Sequence, residues 1–428
     1  MLTFLGVGAF SMLFMGFPFV VILLALALLL TLIFVPDFNL MIVVQQVVHG
    51  FLPPALLCVP MFILAAEIIT RGEAGDRLIN LVKAYLGHLP GGIPICTIAA
   101  CTLFGSVSGS TQATVAAIGR PFRPLLLQSG YSSSFSLALI INASDIAWLI
   151  PPSIGLIVYG VANSTSIGQL FLAGIGPGVL IFVMFSIFCF FYSKFKKIGT
   201  IPSVSWHERW DATRKGGLLL GFPIIILGGI YTGIFSPTEA SAASVAYALF
   251  LEGVVYRKLS IKHLRDALLF TGVITAVCFI LVGGGQILSY ILSYLQIPQA
   301  IMPLIFGPDP SALKVIVIIN IAYFVGCMFM GPVVLIFVLS PIFLPYVAQA
   351  GVNHVLLGTL VTLQGAIGSA TPPFGCDIFS AQMIFRRPYF EIIRETPVFV
   401  FILLLVAVTI VAFPDIALFL PSQAFGLR

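Results

Sequence analysis

The amino-acid sequence predicts an all-α protein that crosses a lipid bilayer several times. Of its 428 residues, 60% are hydrophobic and only 8% are charged, whereas a soluble domain carries roughly 25% charged residues. The apolar residues form continuous runs, and about 20 of them can span the hydrocarbon core as a helix. Backbone groups in hydrocarbon must be hydrogen-bonded internally, so such runs fold as helices. A membrane β-barrel would instead show alternating hydrophobicity.

Six apolar runs are predicted to be spanning helices: 2–35, 54–69, 170–192, 216–235, 240–256 and 398–413. The first run has neither the basic leader nor the small-residue cleavage site of a signal peptide. We expect it to form one tilted span, or two segments broken near Gly16 and Pro18. The seven cysteines lie in apolar surroundings without paired spacing, which indicates core packing rather than a disulfide framework or a metal site.

Basic residues predict the orientation of the spans. Residues 194–215 and 257–265 are rich in Lys and Arg, and two predicted spans separate them, so both segments lie on one side. Basic loops favour the cytoplasm, which assigns that side.

Glycine and proline landmarks recur at a constant offset of 221 residues, because 326 − 105, 345 − 124, 351 − 130 and 372 − 151 all give that number. The matching pairs are Gly105 with Gly326, Pro124 with Pro345, Gly130 with Gly351, and Pro151-Pro152 with Pro372-Pro373. The sequence therefore contains an internal repeat, although chance matches also occur in a chain rich in both residues.

The charges indicate that the two repeats are inverted. Residues 71–83 contain three basic residues and their counterpart 292–304 contains none, whereas residues 386–394 contain three and their counterpart 165–173 contains none. Since basic segments face the cytoplasm, the repeats should be inserted upside down relative to each other. Inverted repeats are typical of secondary transporters, whose binding site lies where the repeats meet.

Polar, glycine-containing segments interrupt the apolar pattern at matching places in both repeats. Residues 105–112 are predicted to be the tip of a re-entrant hairpin, with an equivalent hairpin around 326–332. Residues 142–152 and 364–373 are each predicted to interrupt a spanning helix. Unwound carbonyls and hydroxyls can bind Na⁺, and the following half-helix can face an anion. The simpler alternative is that these small residues only allow close helix packing.

Two sets of candidate ligands follow. The candidate Na⁺ ligands are Ser106, Ser108, Asn142, Ser144, Gly326, Gly331, Gly368, Thr371 and Asp377. The candidate substrate contacts are Ser110, Thr111, Gln112, Asp145, Gln364 and Asp377.

Three carboxylates are expected at membrane depth: Glu67, Asp145 and Asp377. An ionisable group within a membrane is a functional candidate. Glu67 has an equally good alternative, which is a simple ion pair with Arg71.

The motifs together resemble the large permease subunit of tripartite ATP-independent periplasmic (TRAP) transporters over nearly the whole chain. The matching segments are 88–92, 104–110, 113–119, 150–154, 159–160, 237–240 and 371–373. The resemblance implies Na⁺-coupled import of a small organic acid across the bacterial inner membrane. It also implies a separate small four-helix membrane subunit and a periplasmic substrate-binding protein as partners.

The resemblance further implies an elevator mechanism, in which hairpins and broken helices form a mobile transport domain. We expect N-terminal scaffold helices in 1–89, the first transport repeat in 90–193, central scaffold helices and arms in 194–310, and the second repeat with a C-terminal helix in 311–428. No organic cofactor and no nucleic-acid partner are expected.

The sequence departs from the family pattern in three places. Gly331 replaces an aspartate at the second hairpin, Asp377 appears after the second Pro-Pro pair, and the first hairpin carries Arg120 and Arg123. We hypothesise that the carboxylate has moved to Asp377, on an element expected to pack against the second hairpin. Alternatively, Asp377 couples to H⁺, or it lies in a wet vestibule without a specific role.

Other function classes fit less well. The chain has no phosphate-binding loop and is predicted not to be an enzyme. A redox subunit would need histidines at membrane depth, and the five here lie mostly near segment ends. An ion channel and a stand-alone elevator carrier without a binding protein remain the alternative functions.

Overall fold

The computed structural model describes residues 7–8, 11–12, 15–35, 39, 41–200, 202–307 and 310–426. The described part is helical and contains no strand. The predicted run 2–35 lies partly outside it. Within it, residues 7–8 and 11–12 are helical, Gly16 adopts a positive φ of 81°, and the next helix begins at Phe19, so the chain is interrupted at the predicted break.

Between residue 15 and the first repeat, the described part of the chain forms four α-helices. They are α1 (Phe19–Phe34), α2 (Met41–Phe51), α3 (Cys58–Arg71) and α4 (Ala74–Leu86), with a 3₁₀ turn at Pro54–Leu57 before α3.

The first repeat contains a helical hairpin, a broken helix and a long helix. They are α5 (Gly92–Ser108), α6 (Thr111–Gln128), α7 (Ser133–Ser144), α8 (Ile154–Ala162) and α9 (Ile167–Lys196).

Among the described residues, five α-helices connect the two repeats. They are α10 (Trp206–Gly216), α11 (Gly221–Tyr231), α12 (Pro237–Leu249), α13 (Ile261–Tyr294) and α14 (Ile297–Phe306). Lys262 and Arg265, predicted to lie in a basic loop, belong to the start of α13. That helix is a candidate span absent from the predicted set, because its first turns are polar.

The second repeat reproduces the first. It contains α15 (Ala312–Cys327), α16 (Pro332–Gln349), α17 (His354–Ser369), α18 (Cys376–Phe385), α19 (Tyr389–Ile393), α20 (Thr396–Ala412) and α21 (Asp415–Phe425). Helices α16 and α17 begin 221 residues after α6 and α7, since 332 − 111 and 354 − 133 both equal 221. The internal repeat is therefore structural.

Several helices can cross a membrane. Among the described residues, Pro54–Arg71, Ile167–Lys196, Trp206–Tyr231 and Ile261–Tyr294 are long and apolar enough, and two bent pairs raise the number to six. One bent pair lies within Pro332–Gln349 and the other joins α20 to α21, with bends of 60° and 53°. The protein is accordingly a multi-pass membrane protein.

The broken helices form the centre of the molecule. All residues from Ser134 to Ser144 of α7 and from Val355 to Ser369 of α17 are buried. A helix that is apolar nearly all round must be covered on every side. The polar residues on these two helices therefore lie in the interior.

Each broken helix packs its second half against the hairpin of the other repeat. Helix α18 packs on α6, and helix α8 packs on α16. Asp377 lies on α18, so the expectation that its element packs against the second hairpin is wrong for that helix. The first half of the same broken helix, α17, does pack against both helices of the second hairpin, α15 and α16. In the loop before α18, the Phe374 amide also donates to the Met328 carbonyl at 3.1 Å.

The neutral segment 165–173 and the basic segment 386–394 lie near opposite ends of α9. Gly168, at its start, lies against Ile230, close to the turn before α12. At the other end, Ser193 bonds Tyr131, and the neighbouring Ser132 bonds Glu395 at 2.8 Å. A helix of 30 residues is about 45 Å long. The neutral segment 165–173 and the basic segment 386–394 are thus far apart along the bundle.

Candidate functional site

The tip of the first hairpin is shorter than the sequence predicted. Helix α5 continues through Ser108, so only Gly109 and Ser110 connect it to α6. Gly109 has a φ of +59°, and a Cβ there would collide with the Pro152 carbonyl. The Ile154 amide donates to the Gly109 carbonyl at 3.2 Å. The tip is therefore bonded directly to the break of the first broken helix.

The hydroxyls of the first hairpin are already used within it. Ser106 Oγ donates to the Leu103 carbonyl at 2.7 Å, Ser108 Oγ pairs with Thr114 Oγ1 at 3.1 Å, and Ser110 caps α6. A hydroxyl oxygen has two acceptor lone pairs. These bonds leave acceptor capacity for a cation on each predicted serine.

The first broken helix unwinds later than predicted. Carbonyls of Asn142 and Ala143 still accept the Asp145 amide, and a 3₁₀ turn continues to Trp148. The non-helical residues are 149–153. The reason is Pro151-Pro152, which cannot donate N–H groups and disfavours a helix in the residue before it. Backbone carbonyls near Asn142 to Asp145 are therefore not freed as expected.

Asp145 is buried without a hydrogen-bond partner. It is 0% exposed, and neither carboxylate oxygen is bonded within the described part of the chain. One turn before it, Asn142 Nδ2 donates to Ala138, and Asn142 Oδ1 also lacks a partner. The Ser144 hydroxyl donates to the Ile140 carbonyl at 2.7 Å. Burying an uncompensated carboxylate is costly, so this cluster of free oxygens suits a cation.

Asp377 is also fully buried, but its carboxylate is satisfied. Oδ1 accepts from Thr111 at 2.8 Å and Oδ2 accepts from Ser369 at 2.7 Å. It lies in the first turn of α18, where the helix dipole favours negative charge. No ion pair of the described residues includes Asp145 or Asp377.

At the second hairpin, two predicted glycine ligands have a packing role. A Cβ at Gly368 would collide with Cys327, and one at Gly326 would press on Leu335 at 2.9 Å. The alternative that small residues allow close helix contact fits both positions. Gly331 has open space around its Cβ position. The Thr371 hydroxyl donates to the Ile367 carbonyl at 2.6 Å.

Gln364 lies apart from the other predicted substrate contacts. Its Nε2 donates to Asn320 Oδ1 at 3.1 Å, and both residues line an apolar groove that Leu313 and Leu404 also line. The sequence placed Gln364 near the second break but could not predict which face of α17 it occupies.

A cavity of about 670 Å³ brings several predicted residues together. Ser108, Ser110 and Gln112 line it from the first hairpin, and α3 and α13 form the opposite wall. The wall on α3 carries the Glu67–Arg71 ion pair, with Arg71 Nε 3.0 Å from Glu67 Oε2. Glu67 is therefore both an ion-pair partner and a cavity residue.

Sequence reasoning did not assign three of the lining residues to a site: Thr70, Arg120 and Cys376. Arg120 was conspicuous only as a charge in an apolar run. Its position on the cavity face of α6 becomes visible once Ala113, Ala116 and Arg120 are placed on one helix, because side chains three and four residues apart share a face.

The sequence model of a family described as "Tripartite ATP-independent periplasmic transporter, DctM component" matches residues 7–416. The chain is 56% identical to the ectoine TRAP transporter large permease protein TeaC of Halomonas elongata, over 89% of this chain and 90% of that protein. It is 53% identical to the ectoine/5-hydroxyectoine TRAP transporter large permease protein UehC of Ruegeria pomeroyi, over 97% of each chain.

More distant proteins also match. The C4-dicarboxylate TRAP transporter large permease protein DctM of Pseudomonas aeruginosa is 34% identical over 86% of each chain. The solved structure of the Alcanivorax borkumensis YdaH transporter superposes with a TM-score of 0.63 at 13% identity, over 93% of this chain and 97% of that one. That likeness concerns the fold alone.

Proposed function

The chain belongs to the family of TRAP transporter large permease subunits, which are secondary transporter components, and on that premise we propose that it imports a small organic acid driven by a Na⁺ gradient. The proposed substrate is a compact zwitterion of the ectoine class. Support for this substrate comes from the large permease proteins of Halomonas elongata and Ruegeria pomeroyi, which are 56% and 53% identical to this chain and are both named for ectoine.

The pair of buried carboxylates carries the proposal of cation coupling. Asp145 and Asp377 place two negative charges in the interior, with no basic partner among the described residues. Interactions with an ion are strong where water is scarce. Monovalent cations would compensate these charges, with Asn142 Oδ1 and the hairpin serines as neutral oxygen ligands. Ser144, Gly331 and Thr371 stay candidate ligands for a second ion.

We propose that Asp377 joins the first hairpin to the second broken helix at one ion site. Its two hydroxyl donors come from those two elements. An ion there would neutralise a charge shared by both repeats. Proton coupling through Asp377 is the alternative, and ion substitution separates the two.

The proposed movement is an elevator motion of the hairpins and broken helices against a scaffold that includes α3 and α13. The cavity of about 670 Å³ lies between these two groups of helices. Arg71 is at the end of α3, next to the α4 start that Glu252 caps at 2.9 Å. That end carries the basic segment 257–265, so the cavity would open to the cytoplasm.

The proposed partners are a periplasmic substrate-binding protein and a separate small membrane subunit, in a bacterial inner membrane. Uptake of radiolabelled ectoine into proteoliposomes tests the whole proposal. We expect uptake only with the small subunit, the loaded binding protein and an inward Na⁺ gradient. Uptake without the binding protein would instead indicate a stand-alone carrier. Uptake that persists in K⁺ and follows a pH gradient would indicate H⁺ coupling.

A further inference from the structure

The cavity beside the first hairpin has an unbalanced charge. Glu67 and Arg71 neutralise each other across 3.0 Å, and Arg120 is the remaining charged residue of the lining. Arg120 is exposed, and the ion pairs of the described residues do not include it. The cavity thus offers one free positive charge to a ligand.

Arg120 lies on the same lining face of α6 as Gln112 at the polar tip of the hairpin. It is eight residues beyond Gln112 on the same cavity face, which is about 12 Å along the helix axis. Cα–Cβ bonds in a helix tilt toward its N-terminus, and α6 begins at the tip. A guanidinium on a long, flexible side chain can therefore approach a small ligand held against Ser110 and Gln112.

Arg123, one turn further along α6, provides an internal contrast. Its guanidinium donates to the Ser133 hydroxyl at 3.0 Å and lies 5.8 Å from the centre of the Phe385 ring. It is absent from the cavity lining. Of the two arginines that depart from the family pattern, one is held by its neighbours and the other is free.

We propose that Arg120 binds the carboxylate of the transported molecule, and that the cavity thereby selects substrates with one carboxylate and one positive group. This inference rests on the proposed function. The guanidinium matches a carboxylate through two parallel hydrogen bonds. Glu67 Oε1 and Gln112 Oε1 supply acceptors for a delocalised cation at the other end. A dicarboxylate would leave its second negative charge without a basic partner, because Arg71 is already paired with Glu67, and this disfavours it.

Cys376 allows a direct test, because it lines the same cavity and is one of two native cysteines that are not buried. Purified full-length permease in nanodiscs would be alkylated with N-ethylmaleimide, and modification of the Cys376 peptide would be followed by mass spectrometry. We expect ectoine to protect Cys376 and succinate to protect it far less.

Arg120→Gln should raise the half-protecting concentration of ectoine by about tenfold or more, as expected for loss of a hydrogen bond between charged groups. Arg120→Lys keeps the positive charge but lacks the planar guanidinium, so its half-protecting concentration should lie between those of the wild type and Arg120→Gln. Arg394→Gln, at an exposed arginine outside the cavity, should behave as wild type. If Arg120→Gln does not fold, Arg120→Lys alone decides.

An unchanged half-protecting concentration in the Arg120 variants would overturn the proposal. So would equal protection by succinate, or no protection in a permease preparation that imports ectoine. Failure of the complete wild-type system to import ectoine would instead refute the proposed function, so the two failures are distinguishable.

Discussion

The two buried aspartates differ in how their charge is satisfied. Asp377 has two hydroxyl donors, whereas both oxygens of Asp145 lack a partner in the described part of the chain. A buried charge without partners is a large cost to the folded state. Asp145 is therefore the group that gains most from a bound cation.

This contrast predicts opposite effects of two isosteric substitutions in Na⁺-free buffer. Asp145→Asn removes an uncompensated charge and should raise the Tm of the purified protein. Asp377→Asn replaces one of the two carboxylate oxygens, which accept from Thr111 and Ser369, with an amide nitrogen that cannot accept a hydrogen bond. This substitution should lower the Tm. The measurement is thermal unfolding followed by intrinsic fluorescence, with and without NaCl.

Added Na⁺ should raise the Tm of the wild type and should have much less effect on Asp145→Asn, because ligand binding stabilises the state that binds it. Asp415→Asn, at an exposed aspartate, is the matched control. Equal Na⁺ stabilisation of wild type and Asp145→Asn would contradict a cation at Asp145.

Part of the candidate site could be predicted from individual residues. An aspartate within an apolar run identified Asp145 and Asp377, because ionisable groups are rare at membrane depth. Gln364 lines a groove that is separate from the cavity, which the sequence could not indicate, since a polar residue near a helix break can face either the interior or a lateral groove. Arg120 was noticed as unusual, but its neighbours Glu67 and Cys376 come from distant parts of the chain.

At the scale of elements, the tip of the first hairpin depends on one backbone conformation. Gly109 has a left-handed φ and also touches the Pro152 carbonyl. Gly130 has a φ of +94° with nothing near its Cβ position. A comparison of substitutions at these two glycines therefore separates the effect of backbone strain from the effect of steric contact.

We predict that Gly109→Ala is much more damaging than Gly130→Ala. Both substitutions force alanine into the left-handed region, at a cost of about 1 kcal/mol each. Only the first also pushes the hairpin away from the first broken helix and weakens the bond between Gly109 and Ile154. Thermal unfolding and Na⁺-driven uptake should both show the difference, and equal effects of the two substitutions would refute this role of the tip.

The elements were predictable where composition alone determines them. Long apolar runs predicted α9 and α20, and the shared offset predicted both hairpins and both broken helices. Helix α13 was missed because it begins with Lys262, His263 and Arg265 before its apolar part. The late unwinding of the first broken helix was missed because polar Asn142 and Asp145 suggested an earlier break than Pro151-Pro152 imposes.

At the scale of the whole molecule, the repeats predict a topology. The neutral segment at the start of α9 and the basic segment after α18 lie at opposite ends of the bundle. Ser164 and Arg387 are exposed residues close to these segments. They are suitable reporters of the two membrane sides.

We expect a membrane-impermeant maleimide to label Ser164→Cys only from the periplasmic side and Arg387→Cys only from the cytoplasmic side. The physical reason is the preference of basic segments for the cytoplasm. The background would carry replacements of Cys278 and Cys376, the two native cysteines that are not buried. Intact spheroplasts and inside-out vesicles give the two accessibilities. Labelling of both positions from one side would contradict inverted repeats.

The contact of α18 with α6, and of α8 with α16, makes the two halves of the chain exchange an element with each other. Between separate chains, such an exchange is called domain swapping. Here it is fixed within one polypeptide, so neither half contains its own hairpin together with the half-helix that completes it. Two fragments cut between the halves should each be incompletely folded and should become stable only when they are produced together. A sequence change in one half can therefore alter the site assembled on the other.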